Sequence, residues 1–164
     1  MTARFAGLAS AAFLALALTL SASTATRAGD VAMAENGLVK VKSAYGLDES
    51  VARIKADIAQ KGIMFFLAVD QAKLAADAGI KLRPSTLLIF GNPPLGTQFM
   101  TSNPESGLDW PVRLLVFQDA RGQVWAAYND FSWIAERHGI KDRDAQFKMA
   151  STVIASITSS VQAK

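Results

Sequence analysis

The side chains best suited to chemistry lie in the second half of the chain and have the composition of a recognition pocket. Asn and Arg supply directional hydrogen bonds, while Tyr and Trp supply apolar area with one polar tip. The stretch 86–111, TLLIFGNPPLGTQFMTSNPESGLDWP, is dense in Gly, Pro and Asn, and loops of this kind on a rigid scaffold often carry function. The candidate ligand-binding residues are Asn92, Arg113, Tyr128, Asn129 and His138, with Trp110 and Trp133 nearby in sequence.

Several of these residues also have a purely structural interpretation. Asn92 precedes a proline, as is common in turns. Arg113 is placed to pair with Asp109. His138 stands just before a glycine that stops a helix, where a cation is favoured by the helix dipole. At the level of the sequence both interpretations stay open.

Catalytic chemistry has fewer candidates. Asp130 and His138 can act as general acid or base in a hydrolase or isomerase that needs no cofactor. His138 is the only histidine, which excludes a multi-histidine metal site. Asp109, Asp119 and Asp130 are carboxylates that a hard cation would need, but Asp is common at turns for backbone reasons. We therefore predict no catalytic residue, no metal and no cofactor.

Other reaction classes lack their motifs. The chain contains no cysteine, which excludes a disulfide, a thiol nucleophile and a thiolate metal site. It also lacks the Gly-x-Ser-x-Gly elbow of serine hydrolases and a glycine-rich phosphate loop.

Hydrophobic periodicity predicts the elements that must position these residues. Strands are expected at 38–45, 63–69, 87–90, 112–117 and 124–129, and the last two form a hairpin around Asp119–Gly122. The run 63–69 is apolar at every position, which predicts a central strand covered on both faces. Helices are expected from an N-cap at Asp48 to Gly62, at 70–78, 95–102 and 132–138, and finally at 142–162. The last helix has Phe147, Ala150, Ile154, Ile157 and Val161 on one face.

The order of these elements predicts an α/β (α+β) fold, a two-layer sandwich in which a mixed, mainly antiparallel five-stranded sheet carries helices on one face. If alternate residues face the helices, then Met64, Phe66, Leu87, Leu115 and Trp125 project from the other face. An apolar second face favours a homodimer.

Residues 1–28 have the features of a signal peptide. Arg4 precedes an Ala/Leu-rich segment, and small residues allow cleavage near Ala25 or Ala28. A polar lead-in at 29–37 and a single α/β domain at 38–164 then follow, in a periplasmic or secreted protein that meets the membrane only through the uncleaved signal. Without residues 1–28 the net charge falls to +1, since Arg4 and Arg27 are lost. A near-neutral balance argues against nucleic-acid binding.

Four phrases, FGNPPLGTQFM, NPESGLDWPVRLLVFQD, GQVWAAYND and ERHG, resemble in order and spacing the domain of unknown function 302 (DUF302) family over about residues 38–139. The resemblance implies a two-layer α/β fold, a dimer, a bacterial protein that is often exported, and no established activity. In related sequences the Asp that closes the second long strand is often followed by His, whereas here Gln71 follows Asp70. Any chemistry that depends on that His is then absent from this chain.

These observations lead to one functional expectation and two alternatives. The expectation is an exported accessory protein without catalysis, with a small ligand or partner meeting the surface formed by the 91–111 loop, the hairpin end and the ERHG turn. The first alternative is the cofactor-independent enzyme that uses Asp130 or His138. The second is a structural dimer of the cell envelope.

Overall fold

The computed structural model describes residues 31–163, in which all strands belong to one antiparallel sheet. The predicted signal peptide lies outside the described residues. The strands are β1 Val31–Met33, β2 Leu38–Lys42, β3 Met64–Asp70, β4 Ser85–Gly91, β5 Val112–Gln118 and β6 Val124–Asn129. The α-helices are α1 Leu47–Gln60, α2 Gln71–Asp77, α3 Pro93–Ser102, α4 Phe131–Arg137 and α5 Asp144–Ser159, and a 3₁₀ helix spans Pro104–Leu108.

The predicted α+β fold is confirmed, with two differences in the sheet. It has six strands in the order β1-β2-β6-β5-β4-β3, because β1 forms within the expected polar lead-in and pairs with β2. The expected mixed sheet is wrong, since every strand pair is antiparallel. The predicted β5–β6 hairpin is present around a tight turn that ends at Gly122.

The prediction that residues 63–69 form a central strand is also wrong, because β3 is the last strand of the sheet order. The physical reason is that an apolar run reports a preference for burial and says nothing about which strands lie beside it. Phe65 is partly buried against the core, whereas Met64, Phe66 and Leu67 are 52, 45 and 45 % exposed.

The strand register divides the sheet into a helix-covered face and an open face. On the covered face, buried side chains of the middle strands pack beneath α1, α4 and α5; they include Leu88, Phe90, Val112, Leu114, Val116 and Ala126. On the open face, the register aligns Leu87 with Leu115 and Phe117 with Trp125, and all four are partly exposed. Met64, opposite Gly91, and Phe66 share this face, so the five side chains predicted to project from it do so.

The helices follow the sequence pattern closely. The stripe predicted on the last helix is buried in α5 at Phe147, Ala150, Ile154 and Ile157. Asp48 is not the N-cap of α1, which is Gly46. Asp48 lies instead in the first helical turn, where a carboxylate is favoured by the helix dipole.

Gly37 in the β1–β2 turn holds α4 against the sheet. Its φ is +77°, and a Cβ there would lie 2.2 Å from Cγ of Trp133. The Asp130 amide donates to the Gly37 carbonyl at 2.8 Å. Trp133, near the candidate ligand-binding residues in sequence, therefore packs on a turn that only Gly can form.

We predict that Leu88→Ala lowers the free energy of unfolding by about 2–5 kcal/mol, because it opens a cavity at a fully buried position. Leu87→Ala, on the open face one residue away, is the matched control and costs about 1 kcal/mol. Urea denaturation measures both values. Equal losses in the two variants would contradict the division of the sheet into a covered and an open face.

Candidate functional site

A buried carboxylate, that of Asp109, lies at the centre of the polar cluster of the molecule. Its Oδ1 accepts a hydrogen bond from Arg113 Nη2 at 3.0 Å, and its Oδ2 lies 2.7 Å from His138 Nε2 and 3.3 Å from Arg137 Nη1. The side chain of Asp109 is 1 % exposed and that of His138 is 5 % exposed. Arg113 and Arg137, in contrast, are 46 and 44 % exposed.

Three separate elements supply these groups. Asp109 follows the 3₁₀ helix, Arg113 is on β5, and Arg137 and His138 end α4. Asn103 reinforces the junction, since its side-chain amide donates to the His138 carbonyl at 2.9 Å. The cluster, which we call the Asp109 junction, therefore ties the 91–111 loop to the ERHG turn.

Next to this junction, an apolar cleft opens on the open face where the 91–111 loop meets β3 and β4. Its volume is about 200 Å³. A Cβ on Gly91 would lie 3.7 Å from Pro111 and 3.8 Å from the Phe66 ring, so these groups meet at one place. The lining consists of Phe66, Gly91, Asn92, Pro93, Gly96, Thr97, Met100, Trp110 and Pro111.

An aromatic stack makes one wall of the cleft rigid. The Trp110 ring lies between Phe99, at 4.6 Å and an interplanar angle of 5°, and Phe131, at 5.4 Å and 11°. Phe99 is fully buried and also contacts Phe147 of α5. Trp110 is thus anchored in the core and lines the surface cleft at the same time.

Arg113 belongs to the Asp109 junction and projects from the same sheet face as the cleft. It follows Pro111 by two residues, a distance of about 7 Å along a strand, and alternation places both on one face. Arg113 also lies opposite Ile89 in the register, and Ile89 precedes Gly91 by two residues on β4. Arg113 itself lines the small depression beside Asp109, while Pro111 lines the cleft.

The predicted ligand-binding residues do not converge on one pocket. Asn92 caps α3, its Oδ1 accepting from the Leu95 amide at 3.2 Å, and it also lines the cleft. Arg113 pairs with Asp109, as its structural interpretation predicted. Asn129 borders a small depression beside Asp109 and Arg113. His138 does not line this depression and is linked to it only by its contact with Asp109.

Tyr128 and Asp130 lie apart from this group. Tyr128 is buried on the helix-covered face of β6, and burial, with the nearby Asp130 charge, raises the pKa of its hydroxyl. Asp130 is the N-cap of α4, and its Oδ1 accepts from the amides of Ser132 and Trp133.

The three carboxylates considered for a hard cation do separate tasks. Asp109 is bound by cationic side chains, Asp130 caps α4, and Asp119 closes the β5–β6 turn by accepting from the Arg121 and Gln123 amides. Asp119 Oδ2 accepts from Trp125 Nε1 at 3.0 Å. In residues 31–163, no three His, Asp or Glu side chains are placed to hold a metal ion together.

The sequence pattern missed Arg137 and the contact of Phe66 with the 91–111 loop. Arg137 approaches Asp109 across 28 positions of the chain, and no local periodicity indicates such a contact. Phe66 was predicted to project from the open face, but nothing local indicates that it lies beside Gly91. Trp110 was named only as a residue close in sequence to the candidate ligand-binding residues. Its position between Asp109 and Pro111 was the signal from which its place at the cleft could have been predicted.

Comparison with known proteins places this fold in a family. The family model for "Domain of unknown function DUF302" matches residues 39–159. An uncharacterized conserved DUF302 protein from Bacillus stearothermophilus has a similar crystal structure, with a TM-score of 0.70 and 15 % sequence identity over 77 % of this chain and 98 % of that one. At this identity the likeness concerns the fold.

Two relatives from Brucella are larger proteins. "Fluoride-specific ion channel FluC 1" of Brucella suis biovar 1 is 40 % identical over 106 residues, which are 65 % of this chain and 42 % of that protein. "Fluoride-specific ion channel FluC 2" of Brucella melitensis biotype 1 is 40 % identical over 106 residues, or 39 % of its length. This chain thus spans about two fifths of the relatives that it matches.

The fold is a two-layer α+β domain in which helices cover one face of the sheet and leave the other face open. At one end of the domain the buried Asp109 carboxylate ties the 91–111 loop to β5 and α4. The chain belongs to the DUF302 family, as the matched residues 39–159 show. Among residues 31–163, none of the helices has the length and apolar character that crossing a membrane requires.

We predict that Asp109→Asn lowers the free energy of unfolding by about 1.5–3 kcal/mol, because it weakens the charge-assisted hydrogen bonds that Arg113, Arg137 and His138 make with a buried carboxylate. Asp77→Asn is the matched control, since Asp77 pairs with Lys73 on the surface with 60 % of its side chain exposed. Its loss is below about 1 kcal/mol. Urea denaturation compares the two, and similar losses would show that the Asp109 junction contributes no more than a surface pair.

A second prediction concerns Asp119, whose pKa is lowered mainly by the hydrogen bond from Trp125. Because the folded-state pKa lies below the unfolded-state value, the carboxylate stabilises the fold above about pH 4 and loses this effect as the pH falls through the folded-state pKa. Trp125→Phe keeps the ring and removes the donor, so it raises the Asp119 pKa. NMR titration of the Asp119 carboxyl measures the change. Trp133→Phe is the control, and an unchanged pKa in Trp125→Phe refutes this cause.

Proposed function

We propose that this DUF302 protein is an exported accessory protein that binds a small amphipathic anion, a carboxylate carried by a single ring or a short aliphatic chain. The apolar part occupies the cleft at Trp110 and Phe66, and the carboxylate meets Arg113. The observation that carries the proposal is the half-exposed guanidinium of Arg113, which is fixed by buried Asp109 and lies two residues along the chain from Pro111 of the cleft lining.

The size and chemistry of the cleft support the apolar half of this ligand. A dry cavity of about 150 Å³ lined by apolar side chains accommodates benzene, and this cleft measures about 200 Å³. Trp110 and Phe66 offer ring surfaces, and Met100 is flexible enough to adapt to the shape of a ligand. Pockets that hold small molecules are typically apolar with few polar groups, and Asn92 and Thr97 are the polar residues of this lining.

The Asp109 junction supports the charged half. An arginine carries five N–H donors, and the contact with Asp109 uses Nη2 of Arg113. The other donors lie on a side chain that is 46 % exposed. Because Asp109 holds the guanidinium in place before a ligand arrives, little side-chain entropy remains to be lost on binding. Hydrogen bonds between a guanidinium and a carboxylate are about twice as strong as neutral ones.

The accessory and exported character rests on other observations. The signal-like residues 1–28 support export. The Brucella relatives named as fluoride-specific ion channels contain a region like this chain within a longer protein, which supports an accessory role. The catalytic alternative has less support, because Asp130 is engaged as a helix cap and the side chain of His138 is 5 % exposed.

The binding of benzoate and hexanoate to the purified protein tests the proposal. Both ligands raise the melting temperature, with a stabilisation of about 2.7 kcal/mol at 100 times the dissociation constant. Arg113→Gln weakens binding by at least about tenfold, since a hydrogen bond to a charged group contributes about 1.5–3 kcal/mol. Arg137→Gln is the matched control, because Arg137 contacts the same carboxylate from α4, whereas Arg113 lies on β5 two residues from Pro111 of the cleft; this variant keeps the affinity.

Further ligands and variants test the apolar half and the charged half of the ligand separately. Benzyl alcohol, which keeps the ring and lacks the charge, and acetate, which keeps the charge and lacks the ring, both bind more weakly than benzoate. Thr97→Phe obstructs the cleft and abolishes benzoate binding, whereas Gln98→Phe, one residue away outside the lining, leaves it intact. Acetate or fluoride binding as tightly as benzoate would overturn the amphipathic ligand in favour of a simple anion. No shift with any of these ligands would overturn the proposed function.

A further inference from the structure

The connection from α2 to β4 exposes alternating apolar and basic side chains. It contains the run Ile80-Lys81-Leu82-Arg83, and every residue from 76 to 84 is exposed. Ile80 and Leu82 are 63 and 50 % exposed. Large apolar residues that are grouped on a surface and bordered by polar ones mark a site of contact with a partner or a membrane.

Backbone hydrogen bonds hold this connection at both of its ends. At the end of α2, the Ile80 amide donates to the Ala75 carbonyl at 2.8 Å, around Gly79 with a φ of +73°. At the start of β4, the Gln118 amide donates to the Pro84 carbonyl at 3.0 Å. The apolar side chains are therefore presented by a segment whose two ends are attached to the domain.

Helix α2 extends the apolar part of this surface. Where a helix ends with a glycine of positive φ, the residue after that glycine commonly contacts the side chain six positions earlier. For Ile80 that side chain is Leu74, which is 59 % exposed. We call the group formed by Leu74, Ile80, Lys81, Leu82 and Arg83 the α2–β4 surface.

The two cations of the α2–β4 surface are available to an anionic partner. In the part of the chain that the structure describes, neither Lys81 nor Arg83 forms an ion pair. The carboxylates at the two ends of α2 are engaged with Lys73: Asp77 pairs with its Nζ at 2.8 Å, and Asp70 accepts from its amide at 2.8 Å. The surface thus combines two positive charges with three exposed apolar side chains.

We propose that the α2–β4 surface docks on an anionic lipid bilayer. The side chains of Leu74, Ile80 and Leu82 enter the boundary between headgroups and acyl chains, and the two cations meet the lipid phosphates. Lys and Arg keep their charged ends in water while their stems lie along apolar groups, so both types of side chain fit at one shallow depth. This contact is separate from the membrane contact predicted for the uncleaved signal peptide.

The composition of the surface favours lipid over a protein partner. Protein interfaces are enriched in aromatic residues and depleted in Lys, whereas the α2–β4 surface consists of aliphatic side chains, one Lys and one Arg. Membrane docking instead adds the burial of apolar groups to the attraction of basic residues for anionic lipid. The alternation of the two in the loop supplies both contributions at one place.

Co-sedimentation of the purified protein with lipid vesicles tests the proposal. The protein binds vesicles of an equal mixture of phosphatidylcholine and phosphatidylglycerol more tightly than vesicles of phosphatidylcholine alone. Changing both Lys81→Gln and Arg83→Gln weakens binding to the mixed vesicles about fivefold for each cation, which corresponds to about 1 kcal/mol per basic residue. Wild type and variants share the same N-terminus, so a difference between them arises from the substituted residues.

The matched control changes Lys141→Gln and Lys148→Gln together. Both residues are exposed, one before α5 and one on it, and the net charge of the chain falls by the same amount as in the Lys81 and Arg83 variant. This control keeps the wild-type affinity for the mixed vesicles. An equal loss in the two double variants would overturn the proposal, because net charge alone would then account for binding.

A second pair of variants tests the apolar contribution. Leu82→Ser weakens binding to the mixed vesicles at least about fivefold, because less apolar area is buried in the lipid. Leu108→Ser is the matched control, since Leu108 is 68 % exposed at the end of the 3₁₀ helix, and it keeps the affinity. Both variants retain the wild-type melting temperature. Unchanged binding of Leu82→Ser would overturn the proposal.

A fluorescent label on the loop measures insertion directly. Because the chain has no cysteine, Leu82→Cys takes a polarity-sensitive fluorophore at one position. Its emission shifts to shorter wavelengths on the mixed vesicles, whereas the same label at Leu108→Cys keeps its emission. An unshifted label at position 82 would contradict docking through this surface. None of these results depends on the carboxylate ligand, because the cleft lies at the Gly91 end of β4 and the α2–β4 surface at the Ser85 end.

Discussion

The contact that the rest of the site depends on is the buried carboxylate of Asp109 with its three cationic or hydrogen-bonding partners. The 91–111 loop contains α3 and the 3₁₀ helix, and its aromatic side chains Phe99 and Trp110 pack on the core. Asp109 attaches this loop to β5 through Arg113 and to α4 through Arg137 and His138. A carboxylate with a 1 % exposed side chain is costly to bury without partners, and these contacts make its burial possible.

The asymmetry of the sheet explains where binding surfaces arise. Helices α1, α4 and α5 are enough to cover one face of six strands, and the strands supply apolar side chains to both faces. The excess apolar area therefore stays on the open face and is greatest at β3, which has no neighbouring strand on one side among the described residues. Exposed apolar groups of this extent are usually functional in soluble proteins. The cleft at Trp110 and the exposed apolar side chains of β3 are two parts of this one excess.

The sequence predicted local structure well and long-range order poorly. The stripe on α5 and the β5–β6 hairpin were predictable because their signals repeat within a few residues. The edge position of β3 was not, because the run 63–69 looks the same whether strands lie on both sides of it or on only one. Asn92 lines the cleft and Arg113 lines the small depression beside Asp109. Tyr128 was expected beside them, although alternation along β6 turns its side chain to the opposite face from Asn129.

The 91–111 loop and the start of β5 have a role in both the fold and the proposed binding, and their residues differ in how far the two roles can be separated. The two roles of Trp110 cannot be separated, because its ring stacks on Phe99 of the core and also lines the cleft. Asp109 also has both roles, since it stabilises the junction and orients Arg113. Arg113 is different: it is half exposed, and its loss leaves Arg137 and His138 to satisfy the same carboxylate. Selection on the fold alone therefore requires Asp109 and Trp110 but tolerates other residues at position 113, whereas recognition of a carboxylate requires the arginine.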